Sequence, residues 1–217
     1  MRVVVPFAAE QPKTRLADVF APAERRELAR VMLDDVLRAL RETGHAPEVL
    51  ATTGIDVDVP TIVDERPLNA AVDAVLEGQE PPVAVVMADL PLATPDALAR
   101  LFAPEADVVL APSRGGGTNA FVTRHPDFRV DYHGASYRDH RERAREVGAS
   151  VATVDSHRLA TDVDERADLA EVLLHGTGAT RRWLEESGVR LDTSGDGRAT
   201  VRRDDPAARR GDGPKTR

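Results

Sequence analysis

Residues 83–92 read V-A-V-V-M-A-D-L-P-L, and the fold turns on them. Positions 83–88 form an unbroken apolar run of strand-favouring residues, the pattern of a central strand covered on both faces. Asp89 ends the run, and Pro91 stops any further ladder pairing. A carboxylate at the carboxyl end of a buried strand stands where open α/β sheets bind their ligands. Asp89 is therefore read as aimed at a ligand through a metal. The plainer alternative is that it only opens the turn into the next helix.

Elements alternate on either side of this strand. Upstream, residues 2–6 form a first strand, and residues 7–19 a loop carrying Lys13, Thr14 and Arg15. A long helix follows, with Pro22 in its first turn, apolar residues at helical spacing from Leu28 to Leu40, and Gly44 as its cap. Residues 47–52 and 61–63 read as strands, and 68–77 as a helix ending at Gly78. Downstream, Thr94-Pro95-Asp96 starts a helix running to about Phe102. Strands are expected at 107–111, 119–123 and 150–154, and the closeness of the first two suggests antiparallel pairing somewhere in this half. Helices are expected at 137–147, 165–174 and 180–186. Strands alternating with helices predict a three-layer α/β/α fold around a mostly parallel mixed sheet. Residues 1–192 are expected to form a single domain. Residues 193–217, rich in Gly, Asp, Arg and Pro, are expected to be a disordered tail.

Composition narrows the function. The net charge of −8 argues against broad phosphate neutralisation and hence against nucleic acid as a partner. No apolar stretch has the length of a membrane span, and the start M-R-V-V-V-P-F is too short for a signal peptide. The chain has no cysteine, which excludes disulfides, thiolate metal sites and a Cys nucleophile, and a cytoplasmic location is expected. Of 29 basic residues only Lys13 and Lys215 are lysine, against 37 acidic residues. That balance suits concentrated salt and suggests a halophilic archaeon; codon bias in a GC-rich genome is the competing explanation.

Three stretches carry candidate chemistry. Q-P-K-T-R-L at 11–16 places Lys13 and Arg15 on a loop leaving the first strand, a point charge and a planar fork suited to polyphosphate. It is not a P-loop, and two solvated cations are the alternative. A-P-S-R-G-G-G-T-N at 111–119 offers three adjacent glycines whose amides can turn toward an anion, with Arg114, Thr118 and Asn119 as further donors. The alternative is a flexible hairpin connection. R-L-A-T-D-V-D-E-R-A-D-L at 158–169 supplies Asp162 and Asp164, which with Asp89 are hard oxygen ligands for Mg²⁺. The alternative has Asp164 capping the following helix and Asp162 exposed. In Y-H-G-A-S-Y-R-D-H at 132–140, Gly134 and Ser136 are placed to hold a small anion at a helix start; His133 and His140 lack the spacing of a zinc pair.

In their order along the chain, K-T-R-L, L-N-A-A-V (68–72), M-A-D-L-P-L, S-R-G-G-G-T-N-A, Y-H-G-A-S-Y and D-V-D-E-R-A-D-L resemble the CofC family of 2-phospho-L-lactate guanylyltransferases of coenzyme F420 biosynthesis, over about residues 1–190. The resemblance implies a nucleotide-diphospho-sugar transferase fold, glycosyltransferase-A-like and Rossmann-like. It also implies transfer of GMP from GTP to 2-phospho-L-lactate, and a homodimer joined through the 125–147 segment. By the same resemblance, Pro6, Lys13, Arg15, Asn69 and Asp89 face the nucleotide, with Lys13, Arg15 and Asp89 catalytic. Asp89 with Asp162 or Asp164 would hold Mg²⁺, and Arg114, Thr118, Asn119, Gly134 and Ser136 would hold the phosphorylated three-carbon acid. The related molybdenum-cofactor enzymes open with a glycine-rich L-x-G-G-x-S-x-R-M-G type loop; this chain has V-P-F-A-A-E-Q-P-K-T-R-L there, so their guanine contacts do not carry over. Other acceptors left open are phosphoenolpyruvate, 3-phosphoglycerate and a sugar phosphate. A GTP-binding module without turnover is the non-enzyme reading.

Overall fold

The computed structural model describes residues 1–10, 12–77, 82–194 and 199–204. Within them the 83–86 stretch forms β4 (Val83–Val86), every residue of which is buried. Its alternate side chains serve both faces of the sheet, as the unbroken apolar run requires. Ala84 and Val86 join one core, and Val83 and Val85 the other. The strand is shorter than expected: Met87 still donates its N–H to the Asn119 carbonyl at 2.9 Å, and Asp89 lies in the turn beyond it. Leu90 and Leu92, both fully buried, pin that turn from behind.

The main sheet is assembled from β1 (Arg2–Phe7), β2 (Pro47–Ala51), β3 (Thr61–Val63), β4, β5 (Val108–Pro112), β6 (Thr118–Thr123) and β7 (Val151–Thr153) in the order β3-β2-β1-β4-β6-β5-β7. All neighbours pair parallel except β6, which runs antiparallel to β4 and β5. From β1 the chain passes through α1 (Pro22–Glu42) to β2, and through α2 (Leu68–Glu77) from β3 to β4. The two helices cover opposite faces. Leu33, Val36, Leu37 and Leu40 of α1 lie in one core with α3 (Pro95–Phe102), while Ala71, Val72, Val75 and Leu76 of α2 lie in the other with α4 (Ser136–Glu146). The carboxyl ends of β1 and β4 therefore diverge into a crevice at the switch point of the sheet.

Local signals explain the helix ends. Thr94 accepts the Ala97 N–H at 3.3 Å, with Pro95 in the first turn. Gly44 and Gly148 sit at φ 82° and 77° just past α1 and α4, a conformation only glycine adopts freely. The predicted cap at Gly78 lies outside the described residues.

Two expectations need correction. A short helix, α5 (His157–Ala160), lies between the expected strand at 150–154 and α6 (Arg166–His175), where no element is expected from the sequence. The segment after 192 is also not uniformly without structure: β8 (Val189–Asp192) pairs antiparallel with β9 (Thr200–Arg203). Val201 is buried in a third core with Phe20 and Met32 of the first half and Leu169 and Leu173 of α6. One alternating apolar position in T-V-R-R suffices for a two-stranded ribbon laid on an existing core. Residues 195–198 and 205–217 of the expected tail lie outside the described residues.

α7 (Ala179–Glu186) is capped from a distance. The buried Asp35 of α1 accepts the N–H groups of Ala179 and Thr180, each at 2.8 Å. Gly178 is required beside it, since a Cβ there would stand 2.5 Å from an Asp35 oxygen.

Candidate active site

Lys13 is the centre of the crevice. It adopts φ 55° and ψ 45°, and is the one non-glycine residue with positive φ among those described. For a lysine this conformation costs on the order of 1 kcal/mol and points to a local constraint. The constraint is the short 3₁₀ turn Thr14–Leu16, which buries Leu16 completely and turns Lys13 inward and Arg15 outward. Lys13 Nζ donates to Asp89 Oδ2 at 2.6 Å and to Asp164 Oδ1 at 2.7 Å, residues 76 and 151 positions away in sequence. Burial works against its charge, but the two carboxylates prevail and hold the ammonium above its ordinary pKa.

Asp162 joins this group from the side. Burial raises its pKa, the Asn119 amide opposes that by donating to Oδ1 at 3.0 Å, and the Asp89 and Asp164 charges raise it further. Asp162 is thus half-buried, not exposed. Asp164 is not the cap of α6 either: Asp168 accepts the N–H groups of Asp164 and Glu165 at 3.0 and 2.8 Å, which frees Asp164 for Lys13. Backbone pairing locks the arrangement, with Val163 N–H on the Asp89 carbonyl at 3.1 Å. Arg15 stays largely in solvent, 3.9 Å from Asp164 and 4.0 Å from Glu165.

Two adjoining cavities open here. One of about 210 Å³ is lined by Lys13, Asp89 and Asp164 together with Pro6 and Met87. The other, about 480 Å³, runs from Pro6 and Met87 across Leu50 and Thr52 to Asp64, Arg66 and Leu68. Pro6 lines both.

The remaining predicted residues are placed differently. Thr118 and Asn119, both expected as donors to one ligand, are consecutive on β6, and their side chains enter opposite faces. Asn119 donates to Asp162 and to the Leu159 carbonyl at 2.9 Å. Thr118 packs toward α4, its N–H on Ser136 Oγ at 3.0 Å and its hydroxyl 2.9 Å from His140 Nδ1. His140 Nε2 accepts the Asp131 N–H at 2.7 Å, so the neutral ring carries its proton on Nδ1 and donates to Thr118. Burial pushes the His140 pKa down to about 4. The sequence weighs His140 only as a metal ligand, although Ser136, His140 and Ala144, four apart and all buried, mark the inward stripe of α4.

The glycine-rich loop, expected to aim amides at an anion, is a tight turn in which most of those amides have partners within the protein. Ser113 N–H binds the Gly117 carbonyl at 2.8 Å, Gly117 N–H binds Ser113 Oγ at 2.8 Å, and Arg114 N–H binds the Ala160 carbonyl at 3.0 Å. The Arg114 guanidinium ties to Asp168 and Glu171. Asn69 is also engaged, accepting the Tyr132 N–H at 2.8 Å in the loop before α4. Gly134 in that loop is exposed at φ 49°.

Comparison with known proteins agrees with this architecture. A family model described as "Guanylyl transferase CofC like" matches residues 1–204. A Halomicrobium mukohataei protein named 2-phospho-L-lactate guanylyltransferase is 66% identical over 203 residues, covering 94% of this chain and 100% of that relative. A Haloarcula marismortui protein of the same name is 58% identical, covering 94% and 99%. The acidic, lysine-poor composition read as halophilic fits such relatives. In shape, the chain is similar to a nucleotide-diphospho-sugar transferase structure from Desulfovibrio desulfuricans, with TM-score 0.68 and 18% identity over 86% of this chain and 96% of the other. It is also similar to a nucleotidyl transferase from Methanothermobacter, with TM-score 0.56 and 14% identity over 85% and 99%. The fold is that of the nucleotide-diphospho-sugar transferases, and the chain belongs to the CofC guanylyl transferase family.

Proposed function

We propose that this protein transfers GMP from GTP to 2-phospho-L-lactate, giving lactyl-2-diphospho-5′-guanosine and pyrophosphate. The observation that carries the reading is the Lys13 ammonium held between Asp89 and Asp164 at the β1/β4 switch point, in a member of this family. The larger cavity suits the nucleoside, and the smaller one suits the phosphates beside Lys13.

A phosphate oxygen of phospholactate is already an anionic nucleophile, so no general base is needed. It attacks the α-phosphorus of GTP, the bond to the bridging oxygen breaks, and pyrophosphate leaves with that electron pair. The barrier is repulsion between polyanions, and catalysis consists of placement and charge neutralisation. Lys13 and Arg15 supply cationic charge on the pyrophosphate side.

Three carboxylates against one buried ammonium leave a surplus of negative charge, which adds to burial in raising the Asp162 pKa. An all-oxygen donor pair of this kind fits Mg²⁺, which Asp89 with Asp162 or Asp164 would hold. Magnesium, when bound, neutralises and orients the reacting phosphates. The same reading includes a cytoplasmic homodimer joined through residues 125–147, a contact that sedimentation of the purified protein checks. Among the described residues no helix is long and apolar enough to cross a membrane.

The test offers purified protein GTP and Mg²⁺ with phospholactate, phosphoenolpyruvate, 3-phosphoglycerate or a sugar phosphate, and follows pyrophosphate. Release with phospholactate well above the others is expected. Faster release with another acceptor reassigns the substrate, and GTP binding without release in any mixture overturns the enzymatic reading.

A further inference from the structure

A second cluster lies away from Lys13, where α5 meets the end of α6. His157 Nε2 and His175 Nε2 stand 3.5 and 3.6 Å from the same oxygen, Glu171 Oε2. One ligand atom from each residue lies within 4.8 Å of the other two, and no other group of three His, Cys, Asp or Glu among the described residues meets that condition. Ligands bonded to a tetrahedral ion at about 2.0–2.1 Å lie roughly 3.3 Å apart, so two of the three separations already match. Glu171 and His175 share a face of α6 at i and i+4, while His157 comes from α5. The two imidazole rings are nearly perpendicular, with centroids 5.2 Å apart.

The outer contacts orient the carboxylate. Arg114 approaches Glu171 Oε1 at 3.5 Å, which leaves Oε2 for the histidines. A fixed second partner of this kind is what positions a ligating carboxylate. Both histidines are about half exposed, so an ion has an open approach and room for water at its fourth position.

We infer that His157, Glu171 and His175 form a site for a transition-metal dication of the Zn²⁺ class, bound through two imidazole nitrogens and one carboxylate oxygen. Two nitrogens with one oxygen favour such an ion over Mg²⁺, which prefers oxygen alone. The consequence is structural. The ion would join α5 to α6, and the chain between them, residues 161–165, carries Asp162 and Asp164. Occupancy would hold the acidic side of the crevice in place from outside it.

The experiment uses the full, untagged chain stripped by chelator, with Mg²⁺ in excess so that the aspartate cluster is not the reporter. Calorimetry with Zn²⁺ and visible spectroscopy with Co²⁺ are applied to the parent, His157→Ala and His175→Ala, and thermal unfolding is followed with and without Zn²⁺. One equivalent of Zn²⁺ bound by the parent, with tetrahedral Co²⁺ bands, affinity at least about tenfold weaker in each variant, and a Zn²⁺-dependent rise in Tm only in the parent, supports the site. Parent protein that takes up no Zn²⁺, or variants that bind it as tightly as the parent, overturns it.

Discussion

Thr118 and Asn119 are chain neighbours on one strand, yet they belong to two polar clusters of opposite character. Asn119 looks toward Asp162, Asp89, Lys13 and Asp164, a half-open group of full charges in which negative charge exceeds positive. Thr118 looks toward Ser136 and His140, a closed and uncharged group in which each polar atom meets another. Phe121, Phe128 and Tyr132 surround the His140 ring with centroids 6.3, 6.0 and 5.0 Å away. An unbalanced charge cluster at a crevice is organised for something that arrives; a satisfied neutral one is organised to hold the backbone still. In this molecule one strand supplies both, because successive side chains point opposite ways.

Four measurements test that contrast, beginning with the largest effect. Asp89→Asn keeps the shape but removes an anionic ligand, and Mg²⁺-dependent pyrophosphate release should vanish while the thermal transition persists. Equal Mg²⁺-dependent rates in mutant and parent would place Asp89 outside the chemistry. Lys13→Ala should lower turnover by about 10²–10³-fold, about 3 kcal/mol, the usual cost of deleting one preorganised charge donor. A parent-like rate would reduce Lys13 to a structural tie between Asp89 and Asp164.

The neutral cluster should instead respond through stability. In the unfolded chain His140 titrates near the ordinary 6.5, whereas in the folded protein it does so near 4. Between those values the unfolded state binds more protons, so the stability His140 contributes is full above pH 6.5 and is lost as pH falls toward 4. The loss is on the order of 3 kcal/mol when complete. Denaturant midpoints measured across that range should fall more steeply for the parent than for His140→Gln, and parallel slopes would contradict a buried neutral ring. The smallest effect is expected for Ser136→Ala, which strands the buried Thr118 N–H and should cost about 1–2 kcal/mol in chemical denaturation. A selective rise in the Michaelis constant for the phosphorylated acid in that variant would show the neutral cluster to shape a substrate subsite as well.

Periodicity and turn residues made most elements legible: Thr94-Pro95, Gly44 and the apolar run at 83–86 each carry their structural reason within a few residues. What escaped were features whose cause is remote. The Asp35 cap acts on a helix 144 positions away, and the cap of α6 falls on Glu165, with Asp168 accepting its N–H, while Asp164 lies one residue outside the helix and pairs with Lys13. Of the site, the residue types and their order were readable, and Lys13 stood out in a chain with only one other lysine. The closed state of the glycine loop was not, since glycine permits a tight turn and an anion cradle equally.

Taken alone, the sequence determined a parallel-rich α/β sheet with an acidic strand end and a basic loop beside it, because alternation, capping and charge are local properties. Only the tertiary structure decided that Asp164 pairs with Lys13, that Asp162 is shared with Asn119, and that Thr118 turns away to His140. Those choices depend on which face each side chain presents and on what lies across the sheet, and chain-distant contacts of that kind leave no trace in the spacing of residues.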